Sequence, residues 1–421
     1  MSLLPYTWQV LESRRVEDGP VGSRFFWAEP DLLLGHEATV ALLIDRLNLA
    51  GLTVKYPERC LLAADHFVPP ATAERAAILR KYLDFIEMGG LDQRHLFQGI
   101  SHQLMLEDAR LLPGTFVAGA DSHTTLGGVV GAVAVGFGST DMLVAFGLGR
   151  VMVTYPECVL LTLVGQGGAY LGTRDLALAF MAQAGQGGLR WKGLEVQDLT
   201  PHGVDMATRA SLCNQAVDAG AKSALFWPDE ITFQFLRLRD GLEREPPTWA
   251  IPGEGALYEA RWSIDLGRLQ PLVALPPDPA CVVPVAEAEK VRVHQCFVGS
   301  CAGGRLEDLR EAAEVLSTRK VAPGVRLVVT PASRQVYLDA LREGVIETLV
   351  TAGALVTDSS CGACGGIDKG LLAKGEVCIS TSNRNFRGRM GDAGASIYLA
   401  SARTAAASAV CGVLTDPREF M

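Results

Sequence analysis

The chain has 421 residues, of which 48% are hydrophobic, with 45 glycines, 21 prolines and a formal charge of -9. This composition excludes a disordered protein and indicates a globular α/β chain of two or three domains, while the negative charge argues against a nucleic-acid partner, which would require a basic face. Ten cysteines are too few for a disulfide scaffold, and no stretch reaches the ~20 apolar residues of a membrane span, so we expect a cytoplasmic protein.

Helix-like and strand-like stretches alternate from the start of the chain. Apolar spacing predicts helices over 38–52 and 72–88 and short buried strands over 60–64 and 115–119. This alternation is typical of a layered α/β domain.

Polar motifs follow those two strands directly. Asp65-His66 comes after the first strand, and Asp121-Ser122-His123 comes after the second. Because α/β proteins place reactive groups at the ends of buried strands, we expect chemistry here.

The glycine-rich segment 127–138 at first resembles a phosphate-binding loop. It lacks the lysine of a P-loop and matches no complete dinucleotide fingerprint. We therefore predict close helix packing at this segment.

Turns and new strands divide the chain into three predicted α/β domains, 1–157, 158–280 and 281–421. Turn-rich connectors lie at 243–248 and 275–279. The elements predicted for the last two domains are a strand over 158–164, helices over 175–184 and 206–219, a strand over 291–298 and a helix over 306–316.

Three cysteines in glycine-rich sequence indicate a metal centre: Cys301 in Gly-Ser-Cys-Ala-Gly-Gly-Arg, and Cys361 and Cys364 in Ser-Ser-Cys-Gly-Ala-Cys-Gly-Gly. Three thiolates can hold a 4Fe-4S cluster and leave one iron open to a substrate oxygen. On spacing alone, half of a zinc ribbon, a thioredoxin-type redox pair and inert thiols remain open. We expect the other seven cysteines to be small buried hydrophobes.

Motifs flanking the cysteines favour the cluster. They are Ala-Asp65-His66-Phe-Val-Pro-Pro, Gly-Ile-Ser-His102-Gln, Gly-Ala-Asp121-Ser-His123-Thr, Leu-Cys-Asn214, Gly-Ser-Cys301, the Cys361 pair and Asn383-Arg384-Asn-Phe-Arg-Gly-Arg389. In this order the chain resembles the aconitase superfamily, specifically the large subunits of 3-isopropylmalate dehydratase and homoaconitase. The resemblance runs from about His36 to the C-terminus.

The resemblance implies an α/β fold with three α/β/α-layered domains of the aconitase large-subunit type around a central cluster cleft. It also implies that Cys301, Cys361 and Cys364 hold a 4Fe-4S cluster with one iron not ligated by protein. That iron would take the substrate hydroxyl and one carboxylate, which eases the loss of hydroxide.

Dehydration of a hydroxy acid also requires an acid for the departing hydroxyl. A carboxylate that holds an imidazole orients it and raises its basicity. The pairs implied by the resemblance are Asp65 with His66, Asp121 with His102, and Asp218 with His123. Among the three histidines, we predict His66 as the acid.

Further side chains are predicted to bind substrate or to surround the cluster. Arg384 and Arg389 carry guanidinium forks suited to a di- or tricarboxylate, although a pair of surface arginines is the ordinary alternative. By resemblance, Asn214 and Asn383 donate hydrogen bonds near the cluster. His36 lies in a segment that the family places toward the substrate.

Three positions depart from the family pattern. Ala302-Gly303 stands where the family usually has Thr-Asn, and Asp218 replaces a Glu that is one methylene longer. The Gly35-His36-Glu37 segment also differs from the commoner forms. These departures hint at a specialised paralogue with an unusual substrate.

We therefore predict the large subunit of an iron-sulfur hydro-lyase acting on 3-isopropylmalate, as in leucine biosynthesis, or on homocitrate or citraconate/2-methylmalate. Because the chain stops soon after the cluster domain, we expect a separate small swivelling subunit to carry the family's serine base, giving a heterodimer. The alternatives are a non-catalytic or regulatory cluster-binding paralogue and, less favoured, a zinc-binding structural protein. Structural zinc would require neither the Asp-His motifs nor the arginines.

Overall fold

The computed structural model describes residues 3–241, 251–253 and 255–421. The chain divides into two compact units. Unit 1 comprises Met1–Phe97, Ser101–Leu163 and Leu189–Ser263, and unit 2 comprises Gln98–Ile100, Val164–Gly188 and Ile264–Met421. The predicted connector at 243–248 lies outside the described residues.

Strands are numbered here along the described residues. They are β1 Arg15–Asp18, β2 Phe26–Ala28, β3 Leu32–His36, β4 Cys60–Ala63, β5 Phe116–Gly119, β6 Val133–Gly136, β7 Val151–Val153, β8 Cys158–Val164, β9 Gly193–Asp198, β10 Ser223–Phe226, β11 Ala260–Asp265, β12 Leu272–Ala274, β13 Val282–Pro284, β14 Gln295–Val298, β15 Arg326–Val329, β16 Leu355–Val356, β17 Val377–Ser380 and β18 Ser396–Ala400.

The α-helices of the same residues are numbered in the same way. They are α1 Tyr6–Ser13, α2 Glu37–Leu49, α3 Ala73–Met88, α4 Ser101–Glu107, α5 Ser139–Leu148, α6 Asp175–Ala184, α7 Met206–Gln215, α8 Glu230–Asp240, α9 Ser300–Gly303, α10 Leu306–Leu316, α11 Arg334–Arg342, α12 Val345–Ala352 and α13 Ala402–Cys411. In the described part of the chain, no helix combines the length and apolar character that a membrane crossing needs.

Unit 1 contains a parallel sheet in the order β4-β3-β5-β6 and a second sheet in the order β10-β9-β8-β11. Strand β3 reads Leu-Leu-Leu-Gly-His and is buried along its whole length, as expected for an inner strand of a parallel sheet covered on both faces. Its carboxyl end runs directly into α2, which packs on α3 and α5. This edge of the sheet is where the polar motifs emerge.

Unit 2 is built on a sheet in the order β13-β12-β18-β17-β14-β15-β16. The five strands from β18 to β16 are parallel, whereas β12 pairs antiparallel with both of its neighbours. Helices α10 and α13 pack on each other and bury Leu309, Leu316 and Ala406 in one apolar cluster. Each buried leucine of such a cluster contributes about 2 kcal/mol to folding.

The α/β architecture predicted from the sequence is confirmed. Its elements fall close to the predicted ranges, with α6 and α10 at the predicted residues and α3 one residue shorter. The three predicted domains stay a prediction. The two large sheets of unit 1 fall within the first two predicted ranges, whereas the sheet of unit 2 includes β12, which precedes the predicted boundary at 280, and compactness groups the sheets into two units.

The segment 127–138, for which close helix packing was predicted, comprises the end of a 3-10 helix, Ser122–Val130, which packs against helix α7, and strand β6. A Cβ at Gly128 would lie 1.7 Å from the Ala224 carbonyl oxygen, so the glycine permits close contact with β10 as well as with helix α7. One expectation needs correction: Cys281 and Cys411 are exposed rather than buried, because Cys281 lies in the loop before β13 and Cys411 is the last residue of α13.

Candidate active site

Asp65 and His66 follow strand β4 in unit 1 and are in direct contact. His66 Nδ1 lies 2.5 Å from Asp65 Oδ1. The second carboxylate oxygen of Asp65 accepts the backbone N–H of Ser101 at 2.6 Å, which fixes the carboxylate against the start of helix α4. The His66 side chain keeps 16% of its surface exposed, whereas Asp65 has none exposed.

The contact changes the proton affinity of both groups. Burial alone would raise the pKa of Asp65, but the His66 and His36 imidazoles, with the hydrogen bonds that Asp65 accepts, hold this pKa well below its usual range. Burial alone would lower the pKa of His66, but the Asp65 carboxylate raises it to about 9. His66 therefore carries a proton at neutral pH and can donate it.

Glu37, the first residue of α2, fixes the loop that carries this pair. Its carboxylate accepts the backbone N–H groups of Asp65 at 3.0 Å and of His66 at 2.6 Å, and also that of Phe67. Glu37, Asp65, His36 and His66 have potential metal-binding atoms within 4.8 Å of one another. Because the carboxylates already accept several hydrogen bonds, we interpret the group as a hydrogen-bonded network rather than a metal site.

His36 lies between two carboxylates at the end of strand β3. It is 1% exposed. Its Nδ1 lies 3.9 Å from Asp65 Oδ1, and its Nε2 lies 3.6 Å from Asp121 Oδ2. Neither ring nitrogen has a hydrogen-bond partner within the described residues.

Asp121 connects three histidines in unit 1. His102 Nε2 lies 3.0 Å from Asp121 Oδ1, and the same oxygen accepts the backbone N–H of His123 at 2.7 Å. Asp121 thereby caps the 3-10 helix that begins at Ser122. Burial would raise the pKa of Asp121, but His102, with His123 and His36, holds it well below its usual value.

The third predicted pair is more loosely spaced. His123 Nε2 lies 3.6 Å from Asp218 Oδ2, beyond hydrogen-bond length. Gln215 Nε2 donates to the same Asp218 oxygen at 3.0 Å. Asn214 lies beside Gln215 near the end of α7 and is fully buried.

In unit 2, Cys301 lies in the short helix α9, immediately after strand β14. Ser300, the first residue of that helix, has a φ of 73°, a left-handed conformation that is uncommon for a residue other than glycine. The buried Arg305 guanidinium donates to the carbonyl oxygens of Cys301 and Ala302. The arginine thus holds the turn that presents the Cys301 thiol.

Cys361 and Cys364 follow strand β16. Cys364 is buried in an apolar cluster with Ala363 and Met390, and Cys361 packs against the same cluster. A Cβ at Gly366 would lie 2.7 Å from the backbone oxygen of Arg389. Glycine at 366 therefore lets the cysteine loop approach the loop of the predicted substrate arginines.

The donor set fits an iron-sulfur cluster. All ten cysteines carry thiols rather than disulfides. Strands β14, β15 and β16 are parallel, so the loops of Cys301 and of the Cys361 pair emerge at the same edge of one sheet. By contrast, Cys378 lies within strand β17, where burial raises its pKa to about 12, so this thiol stays protonated.

Asn383 and the two predicted arginines follow strand β17. The Asn383 side-chain oxygen accepts a hydrogen bond from Arg174 Nη1 at 3.2 Å, and both residues are buried. Arg384 and Arg389 are partly buried rather than free surface groups. Thr381 Oγ1 accepts the Gly299 N–H at 2.9 Å, which joins this loop to the Cys301 turn.

The predicted residues therefore fall into two sets. Unit 1 contains the histidines, their carboxylates and Asn214; unit 2 contains the cysteines, Asn383 and the arginines. Sequence reasoning missed three buried charged groups that hold these residues: Glu37, Arg174 and Arg305. Arg305 carried a sequence signal, since it directly follows the glycines after Cys301, and Glu37 lies in the segment that departs from the family pattern, whereas Arg174 carried none.

Comparison with known proteins identifies relatives along nearly the whole chain. The sequence model of the aconitase family (aconitate hydratase) matches residues 8–412. The 3-isopropylmalate dehydratase large subunit 1 of Methanopyrus kandleri is 38% identical over 415 residues, covering 98% of each chain. The homoaconitase large subunit of Methanocaldococcus jannaschii is 38% identical, covering 92% of this chain and 94% of its own length.

A solved structure shares the fold. The crystal structure of Thermococcus kodakaraensis aconitase X in its holo-form aligns with a TM-score of 0.53 at 14% identity. The alignment covers 85% of this chain and 84% of the other.

Proposed function

The chain belongs to the aconitase family, and on this basis we propose that it is the large subunit of an iron-sulfur hydro-lyase that dehydrates and rehydrates a malate-type hydroxy acid. The names of its relatives favour 3-isopropylmalate or homocitrate as the substrate class. The observation that carries the proposal is the Asp65–His66 contact, since it leaves a protonated imidazole with part of its surface exposed.

We assign Cys301, Cys361 and Cys364 as ligands of a 4Fe-4S cluster with one iron not ligated by protein. The support is the chemistry of three thiols on loops from one sheet edge. When bound, such a cluster supplies a Lewis acid for the substrate hydroxyl and one carboxylate.

The proton steps are assigned to the chain's own side chains. His66 gives its proton to the departing hydroxyl, so that water leaves, and Asp65 stabilises the imidazole in both steps. In the reverse step, the water that adds back gives a proton to the neutral His66 imidazole. Asp121 holds His102, and Asp218 lies beside His123, which keeps these imidazoles oriented around the first pair.

The remaining roles belong to substrate binding. Arg384 and Arg389 are assigned to the substrate carboxylates, because a guanidinium binds a carboxylate through two parallel hydrogen bonds. His36 is assigned to the substrate-facing polar segment, and Asn214 and Asn383 are assigned to hydrogen bonds near the cluster.

The base that removes the carbon-bound proton is assigned to a partner. Relatives are named as large subunits, which supports a small-subunit partner for this chain. We propose that this partner carries a serine as the base and contributes part of the pocket that selects the substrate side chain.

The experiment is anaerobic reconstitution of the chain, co-expressed with a small subunit encoded nearby, followed by assays on 3-isopropylmalate, homocitrate and 2-methylmalate. We expect formation of an unsaturated acid from at least one of them. His66→Gln should lower kcat by about 10²-fold or more with the cluster spectrum unchanged. His202→Gln, at an exposed histidine of unit 1, is the matched control and should retain activity.

A cluster-loaded complex that converts none of these acids would contradict the proposal and favour the non-catalytic paralogue. Equal activity in the His66 and His202 variants would remove His66 from the mechanism.

A further inference from the structure

Unit 1 contains a cavity of about 520 Å³ that is lined by none of the residues assigned above. Its apolar lining comes from helix α1, strand β6 and the end of strand β7, and includes Leu11, Val133, Val135 and Met152. Such a lining, combined with a few polar groups, is typical of a small-molecule site.

Lys222 is one of the charged residues that line this cavity. The side chain is half-buried, and its ammonium lies 5.0 Å from the centroid of the Trp191 ring and 5.7 Å from that of Phe137. Within the described residues it has no hydrogen-bond or ion-pair partner. Burial lowers the pKa of Lys222, and the Asp141 carboxylate offsets part of this effect. A partly desolvated cation that lacks an ion pair favours an anionic ligand.

Trp191 is held in an unusual conformation beside the lysine. Its φ is 66°, in the left-handed region that bulky residues rarely adopt, and its side chain is 69% exposed. The backbone N–H of Trp191 donates to the Gly220 carbonyl at 3.1 Å, and the backbone N–H of Lys222 donates to the Lys192 carbonyl at 2.8 Å. These backbone hydrogen bonds fix the segment that carries the indole at the cavity. Because the ring is largely exposed, it contributes little to folding and remains available to pack against a ligand.

Two further cations lie along the lining. Arg24 and Arg190 are exposed, and neither has an ion-pair partner within the described residues. Asp141 and Glu157 are the carboxylates of the same lining. Lys192 is paired with Glu259, so the remaining cations of the lining, Arg24, Arg190 and Lys222, outnumber its two carboxylates.

A second cavity of about 320 Å³ shares Arg190, Trp191 and Lys222 with the first. Its lining includes Ser122, which lies between Asp121 and His123 in the chain, and Val217, which precedes Asp218. A ligand bound near Lys222 would thus lie next to the backbone that positions Asp121, His123 and Asp218.

We propose that the larger cavity binds a small organic carboxylate with an aromatic or branched apolar body. The carboxylate contacts Lys222 and Arg190, while the body packs on Trp191 and the valines of strand β6. This site does not depend on the cluster or on the proposed reaction, so it can be tested without either.

The test is calorimetric titration of the full chain with indole-3-acetate and 4-methylpentanoate, each compared with its neutral amide. We expect at least one acid to bind about tenfold more tightly than its amide, because the amide lacks the charge-assisted hydrogen bond. Lys222→Met, which keeps the apolar stem, should remove this preference. Lys55→Met is the matched control, since the Lys55 ammonium also lies over a ring, that of Tyr56 at 4.8 Å, but outside the cavity.

Trp191→Gly keeps the proposal testable if the lysine variant folds poorly. Glycine accepts the left-handed backbone, so the unfolding midpoint should not fall while the affinity for the acid does. The proposal is overturned if both acids fail to bind at millimolar concentration, if acid and amide bind equally, or if the Lys222 and Lys55 variants behave alike.

Discussion

The imidazole rings of His36 and His66 lie face to face, with centroids 4.0 Å apart and planes 8° from parallel. Asp65 contacts His66 and lies 3.9 Å from the Nδ1 atom of His36. One carboxylate therefore faces two stacked imidazoles.

Asp65→Asn should lower the pKa of His66 from about 9 toward its ordinary value of about 6.5, because the group that stabilises the imidazolium is lost. A histidine whose pKa is raised in the folded state stabilises the fold fully at pH values below its pKa in the unfolded state. This stabilisation disappears as pH rises through about 9. Wild type should lose at most about 3–4 kcal/mol across this window, and the variant much less. Titration of the ¹⁵N-labelled histidines, assigned with His66→Gln, measures the shift; unchanged titration in Asp65→Asn would contradict it.

Serine at Cys301, Cys361 or Cys364 should abolish the visible absorbance of the reconstituted cluster, because a hydroxyl is a poor substitute for a thiolate ligand. Cys411→Ser, at an exposed cysteine, should leave the spectrum unchanged. Iron and sulfide content per chain, together with the absorbance, provides the measurement. A cluster retained at full occupancy after all three substitutions would disprove the ligand assignment.

Asp218→Glu should retain or raise kcat, since one added methylene can close the 3.6 Å separation between His123 Nε2 and the carboxylate. Asp218→Asn keeps the shape but removes the charge, and should lower kcat about tenfold or more. Steady-state kinetics of the reconstituted complex compares the two variants. If the Asn variant matches wild type, the Asp218 carboxylate has no part in orienting His123.

Glu311→Gln should raise the unfolding midpoint at pH 8 and change it little at pH 5. Glu311 accepts the Thr173 N–H at 2.9 Å, and burial, reinforced by the Asp308 carboxylate, raises its pKa well above the usual value. A carboxylic acid whose pKa is raised in the folded state stabilises the fold fully when it is protonated. This contribution declines as pH rises above the ordinary pKa of glutamate, about 4.3. Gln keeps the acceptor and removes the buried charge, a gain of about 1–3 kcal/mol at alkaline pH.

Thermal unfolding followed at both pH values provides the comparison for Glu311→Gln. Glu347→Gln, at an exposed glutamate on α12, is its control and should shift neither midpoint. Equal shifts at pH 5 and pH 8 would show that Glu311 does not carry a pH-dependent charge.

Gly303→Ala should destabilise the chain by about 1–3 kcal/mol, because a Cβ at this position would lie 2.4 Å from Thr381 Cβ. Gly138→Ala is the control, since the nearest atom to its Cβ is Asp141 Oδ2 at 3.6 Å. Chemical unfolding of both variants measures the difference. Stability equal to wild type in Gly303→Ala would mean that Thr381 can move aside, and that the Asn usual in the family would also fit.

The sequence predicted the elements better than the contacts that hold the site. Helix α10 was predictable because its apolar residues recur with helical spacing. The Asp-His motifs were recognisable because they directly follow predicted strands. The predicted helix 206–219 instead ends as an α-helix at Gln215 and continues as a 3-10 turn that carries Asp218. Local spacing does not specify this change, which depends on packing.

Pairings between distant residues were the least predictable part. Arg174 and Asn383 are 209 residues apart and share no motif, so only the folded chain brings them together. The same holds for Thr173 with Glu311, and for the cavity around Lys222. Their residue types are ordinary in sequence, and their significance arises from burial.

Glu37 has a mechanical consequence for the site. Because one carboxylate at the first turn of α2 accepts three successive backbone N–H groups, from Asp65 to Phe67, the loop that carries His66 is tied directly to the start of that helix. A displacement of the start of α2 would therefore displace the backbone of residues 65–67 and, with it, the His66 ring. The aim of the proton donor thus depends on a helix as well as on the strand that precedes it.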